Sequence, residues 1–147
     1  MSREIKFRAW CKTESWHNGE RKEKYFMEND IEEINLEPTE NDPQGEFIGK
    51  LGIWCGIHES ILMQYIGVND KNRKEIYEGD IIKRKMFDDY IIGKVVYLDI
   101  GFCGIMLKCG SNYYHIGKSE HTGISDCDEV IGNVHENADL LKEAGNE

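Results

Sequence analysis

Proline is scarce in this chain, two residues in 147, against fifteen glycines and 10% aromatics. That balance disfavours a helical bundle and suits short strands joined by tight turns. No stretch approaches the ~18 consecutive apolar residues that a membrane-crossing helix needs. The opening residues, Met1-Ser-Arg-Glu-Ile-Lys-Phe-Arg8, are charged where a secretory leader is apolar, so the expected location is the cytoplasm. The cysteines (Cys11, Cys55, Cys103, Cys109, Cys127) are odd in number and never two residues apart, which predicts reduced thiols rather than a disulfide framework. Basic residues are outnumbered, 18 against 28 acidic, for a formal net charge of −10. Non-specific binding to nucleic acid requires clustered lysine and arginine, so that balance disfavours it.

With 39% hydrophobic and 31% charged residues, the chain is globular and long enough to bury a core. Its charge is uneven. Glu28 to Glu46 holds eight acids and no base, and Ser119 to Glu147 holds eight acids and one base, Lys142. The basic residues concentrate at Lys71, Arg73, Lys74, Lys83, Arg84 and Lys85, interleaved with Glu75, Glu78 and Asp80. This pattern resembles solvated strand faces more than a phosphate track.

Strand signals dominate. Arg3 to Trp10 alternates Ile5, Phe7 and Ala9 with Glu4, Lys6 and Arg8. Asn18-Gly19 marks a two-residue hairpin ahead of an aromatic strand at Tyr25-Phe26-Met27. The acidic span from Asp30 to Gln44 contains both prolines and is expected to be a poorly packed loop with at most one helical turn. Further strands are expected at Glu46 to Cys55, Ser60 to Val68, Glu75 to Lys85, Tyr90 to Ile100, Gly104 to Lys108, Tyr113 to Ile116 and Glu129 to His135. A polar turn at Phe87 to Asp89 should make neighbours of the strands on either side, with Ile76, Ile81, Val95 or Tyr97 in one core. In Tyr77-Glu-Gly-Asp80, Gly79 permits positive φ and Asp80 can bond its own backbone two residues on. Gly93, in Ile92-Gly-Lys-Val-Val-Tyr97, marks a sharply bent strand. Ala138 to Ala144 reads as a short terminal helix with Asn137 as its N-cap.

The segments Arg3-Glu-Ile-Lys-Phe-Arg-Ala-Trp10, Met63-Gln-Tyr-Ile-Gly67, Asp70-Lys-Asn-Arg-Lys-Glu-Ile-Tyr-Glu-Gly-Asp80 and Val130-Ile-Gly-Asn-Val-His-Glu-Asn137 together resemble the YopX family of phage and prophage proteins. They cover both ends and the middle in order, while Lys12 to Gly56 carries no such pattern. The resemblance implies a phage or prophage origin and a β-rich fold, and no activity.

Cys103, Cys109, His115, His121 and Cys127 recur every six residues, and thiolates with imidazoles can hold zinc. Gly110, Gly117 and Gly123 break the phase, however, and the short loops of structural zinc sites are absent. Cys55 with His58 is the nearest thiol–imidazole pair in sequence, but Cys55 follows Ile53-Trp54 in an apolar strand, where an inert thiol is commoner. No phosphate-binding glycine loop or metalloprotease motif occurs. Aromatics are the better binding candidates. Trp10, Trp16, Trp54, Tyr65 and Tyr77 could line a groove or simply form the core.

The expected fold is α+β and β-dominated. A small SH3-like barrel would occupy residues 60–147, with N-terminal strands from residues 1–59 packed on it and a short C-terminal helix. The expected role is a non-enzymatic accessory module that binds a protein or self-associates, with Trp54, Tyr65, Tyr77, Glu78 and Asp80 as binding residues and no cofactor or metal. The alternative is a nucleic-acid-associated small barrel, which would require the lysines and arginines between Lys71 and Lys85 to gather on one face. The cysteine and histidine reading has a direct check. A structural zinc contributes ~10 kcal/mol or more. Chelation should leave the melting temperature unchanged, and elemental analysis should find substoichiometric metal.

Overall fold

The computed structural model describes residues 6–40, 42–49, 52, 54–57, 60–100, 102–117 and 122–143, with the side chains of 13–15, 17, 97–100, 102–105 and 143 outside that description. His58 and His121, and the side chains of Tyr97 and Cys103, therefore lie outside the described residues. The chain divides into two compact units, Lys6–Gln64 and Tyr65–Glu147. The described residues are β-dominated, with twelve strands and one short helix. No helix among them is long and apolar enough to cross a membrane.

In the unit from Lys6, β1 (Phe7–His17) and β2 (Glu20–Glu28) form the hairpin that Asn18-Gly19 predicts. Both turn residues have positive φ, 51° and 78°, the geometry that matches strand twist. Because paired residues share a face, Ala9 and Cys11 turn with Phe26 and Glu28 toward the core. Ala9, Cys11, Phe47 and Cys55 make that core, with Phe26, Ile31, Ile34, Ile57 and Leu62 around it. The start of β6 (Ile61–Asn69) pairs with β1.

The acidic span departs from expectation. Ile31–Asn35 is a strand, β3, paired with β4 (Glu46–Gly49), which pairs in turn with β5 (Trp54–Gly56). Ile31 and Ile34 reach the core while Glu32 and Glu33 point to water, so the like charges need not be buried to order the strand. Asp42 is buried, its Oδ1 accepting the Gln44 N–H at 2.8 Å. The expected single strand from Glu46 to Cys55 is thus split in two.

In the unit from Tyr65, β6 continues to Asn69 and pairs with β7 (Glu75–Tyr77). A five-stranded antiparallel sheet then runs in the order β11 (Asn112–His115), β10 (Phe102–Cys109), β9 (Asp89–Ile100), β8 (Asp80–Met86), β12 (Asp128–Asn133). The expected hairpin is present, with register from Ile81↔Lys94 to Met86↔Asp89. Ile76 and Val95 share a core with Ile66, Val68, Ile82 and Leu107.

Two local expectations differ from the structure. Glu75 to Lys85 is two strands rather than one, broken at Glu78-Gly79. There Gly79 (φ 84°) donates to the Val95 carbonyl at 3.0 Å and accepts from the Val134 N–H at 2.8 Å. Asp80 accepts from the Tyr77 N–H, three residues back, at 2.8 Å. Asn137 does not cap α1 (Asp139–Glu143), because its Oδ1 accepts from the Asn133 N–H at 3.2 Å and lies over Gly132. At Gly93 the sheet closes tightly, and a Cβ there would come within 2.5 Å of the Cys109 Sγ and the Lys108 carbonyl.

The β8–β12 edge carries a buried ion pair. Arg84 and Asp128 are register partners, and the guanidinium binds the carboxylate in a fork, Nε to Oδ1 at 2.5 Å and Nη2 to Oδ2 at 2.8 Å. The Ser125 hydroxyl donates to the same Oδ2 at 2.6 Å. Removing one member of such a pair leaves a buried charge uncompensated, at a cost of about 3–5 kcal/mol. Arg84→Met should lose about that much in denaturant unfolding, and adding Asp128→Leu should restore most of it. Independent, additive losses would contradict the pairing.

Candidate functional site

Alternation along β8 divides its side chains. Asp80, Ile82 and Arg84 are buried, whereas Lys83 and Lys85 point together to the other face, Lys83 partly exposed and Lys85 exposed. Across the ladder, Lys83 sits opposite Ile92 and Glu129, and Lys85 opposite Tyr90. Phe87 occupies the β8–β9 turn. The strand end and the returning loop close a cleft of about 510 Å³ lined by Lys71, Lys83, Lys85, Phe87, Tyr90, Asp126, Cys127 and Glu129.

Backbone bonds place each wall. Asp70 is 1% exposed, and its carboxylate accepts from the N–H groups of Asn72 (2.9 Å), Lys74 (2.8 Å) and Val130 (2.9 Å). The Lys71 N–H donates to the Asp128 carbonyl at 2.9 Å, which sets that lysine at the rim. The Lys85 N–H donates to the Cys127 carbonyl at 3.0 Å, bringing the acidic loop alongside.

The charges in the cleft are unevenly matched. Lys71 Nζ lies 3.3 Å from a Glu129 carboxylate oxygen. Lys83 Nζ stands 4.3 Å from the centroid of the Tyr90 ring, a cation–π contact. Lys85 makes no ion pair among the described residues. Phe87 is 93% exposed and adopts φ 53°.

The sequence-predicted binding residues fall in different places. Tyr65 and Tyr77 come together, ring centroids 5.7 Å apart, and both are buried. The Tyr65 hydroxyl donates to Asn69 Oδ1 at 2.6 Å. Asp80 is buried beneath the same corner and Glu78 is half-buried there. Trp54, 46% exposed, belongs to the unit from Lys6, as do Trp16 and the stacked pair Trp10–Tyr25. Of the basic residues, Lys71, Lys83 and Lys85 gather in the cleft, while Arg84 points inward to Asp128. Sequence reasoning missed Phe87 and Tyr90, although the Lys83/Lys85 alternation was visible.

Among the described residues no three of histidine, cysteine, aspartate and glutamate come together in a metal-binding group. His115 and Cys127 share a second, shallower cleft of about 440 Å³.

The cleft is set on the face of a small antiparallel sheet in a β-dominated fold. Residues 6–142 match the YopX protein family, and the chain belongs to that family. The chain is also similar to the crystal structure of protein EF1440 from Enterococcus faecalis, with 24% identity and a TM-score of 0.50 over 95% of this chain and 99% of that one. That likeness concerns the fold. A search of curated proteins finds no match.

The thiols separate by environment. Burial, with Cys55 beside it, pushes the Cys11 thiol up to about 12, and burial also raises Cys55 and Cys109. Cys127 is exposed. Only the thiolate is nucleophilic. A maleimide at neutral pH should therefore label Cys127 ahead of Cys109 in the native protein, with Cys11 and Cys55 labelled only after denaturation, as read by peptide mass mapping. Early labelling of Cys11 would contradict the burial.

Proposed function

We propose that the protein is a non-enzymatic phage or prophage accessory protein of the bacterial cytoplasm, which binds another protein or a second copy of itself. The binding face is the one that carries Lys83, Lys85, Phe87 and Tyr90. Phe87 is the observation behind this reading. A phenylalanine at positive φ is strained, and glycine or asparagine would make the same turn at lower cost. Leaving the ring in water forfeits a further ~2 kcal/mol of burial. A side chain that is costly twice over in the free protein gains most when a partner covers it.

Phage origin rests on the family, whose characteristic segments run through the chain. The five-stranded antiparallel sheet, closely packed at Gly93, supports the finer reading of residues 60–147 as a small SH3-like barrel. The nucleic-acid reading would use the same lysines. Asp126 and Glu129 stand among them, however, in a chain of net charge −10, and would repel a phosphate backbone. Among the aromatic and acidic candidates, Trp54 and Glu78 are accessible enough to touch a partner, whereas Tyr65, Tyr77 and Asp80 would act by bracing the corner beneath.

A photo-crosslinking amino acid at position 87, in cells producing phage, should capture one discrete protein or a second copy of the chain. Phe87→Ser should abolish binding of that protein, once purified, without lowering the melting temperature. Recovery of nucleic acid alone, or a partner that binds Phe87→Ser equally well, would contradict the proposal.

A further inference from the structure

We infer that the cleft takes an extended acidic segment of a partner protein, with carboxylates two residues apart and a large apolar side chain beside them. The inference rests on the protein-binding reading above and adds the chemistry of the ligand.

Three features define the ligand. The first is cation spacing. Lys83 and Lys85 project from one face of β8 two residues apart, about 7 Å along the strand. An extended peptide repeats its side chains at the same interval, so alternate carboxylates match alternate ammonium groups. The second is charge balance. Three lysines and two acids line the cleft. Glu129 is already engaged by Lys71, which leaves Lys83 held only against a ring face and Lys85 without an ion-pair partner among the described residues. In a chain of net charge −10, this cationic excess is local and complements an anionic ligand. The third is the apolar end. Phe87 and Tyr90, both exposed, stand beside Lys85, where Tyr90 is its register partner. They supply contact area that an inorganic anion or a carbohydrate acid would not use.

A peptide fits this lining better than a nucleic acid. Asp126 and Glu129 can accept from peptide N–H groups, but each repels phosphodiesters, which carry one charge per residue and cannot be spaced to avoid them. Because β8 is paired on both sides, the segment lies across the sheet face rather than adding to its edge.

Fluorescence anisotropy on the full-length protein tests this with three labelled probes. These are a synthetic peptide alternating glutamate with valine and leucine, its glutamine counterpart, and oligothymidylate. The glutamate peptide should bind, and the glutamine peptide about tenfold more weakly, as two half-exposed charge pairs imply. Lys83→Gln with Lys85→Gln should erase that difference. Lys85→Gln alone, at an exposed position that cannot disturb the fold, should erase part of it. Phe87→Ser should weaken both peptides alike. Equal, Phe87-dependent binding of the two peptides would overturn the acidic preference while leaving protein binding intact. Failure of both peptides to bind would also overturn the inference, and protein binding would then stand or fall on crosslinking at position 87. Preference for oligothymidylate would overturn both.

Discussion

Three buried aspartates hold together the side of the Tyr65–Glu147 unit that carries the cleft. Asp70 ties a turn to β12 by accepting one N–H from Val130 and two from its own loop. Asp128, 0% exposed, ties β12 to β8 through Arg84 and anchors the preceding loop through Ser125. Asp80 fixes the corner between β7 and β8 by accepting from Tyr77. Hydrogen bonds to an ionised group contribute about 1.5–3 kcal/mol each, and a buried carboxylate left without them costs more. These carboxylates therefore allow little play in the strands they join. The raised pKa of Arg84, caused first by its hydrogen bonds to Asp128, reflects the same coupling.

The proposed binding surface inherits its geometry from this framework. The loop before β12 returns to Asn69, whose N–H donates to the Gly123 carbonyl and whose carbonyl accepts from Ser125. Lys71, Asp126 and Glu129 thus face Lys83 and Lys85 because the backbone holds them there, not because their own side chains pack. Long exposed side chains on a stiff frame can rearrange around a ligand at little cost, which suits a surface that recognises charge and apolar area together.

Much of the strand content was legible beforehand because it depends on local rules. Asn18-Gly19 demands a turn with two positive φ values, and Ile91, Gly93 and Val95 alternate with Ile92, Lys94 and Val96 about the β8–β9 pairing. What escaped depends on residues distant in sequence. Asp128 lies in the acidic run from Ser119, where nothing nearby says that Arg84 will stand opposite it. Asp70 reads as a turn former, and so it is, yet its second oxygen serves Val130, sixty residues on. The strand at Ile31–Asn35 is hidden by its charge, since the acids of Glu28 to Glu46 are local in sequence and the core that Ile31 and Ile34 reach is not. The site was half legible. Lys83 and Lys85 alternate visibly with buried positions, but a phenylalanine held at positive φ in the turn has no sequence signature.

Buried carboxylates, rather than the aromatic corner, set the geometry of the cleft. Amide hydrogen exchange on Asp70→Ala tests it most directly. The account predicts that the amides of Asn72, Lys74 and Val130 lose protection together with that of Lys71, while the β9 amides paired to β8 keep theirs. If Val130 and Lys71 exchanged as slowly in Asp70→Ala as in the parent protein, the carboxylate would not be what holds β12 and the cleft in place.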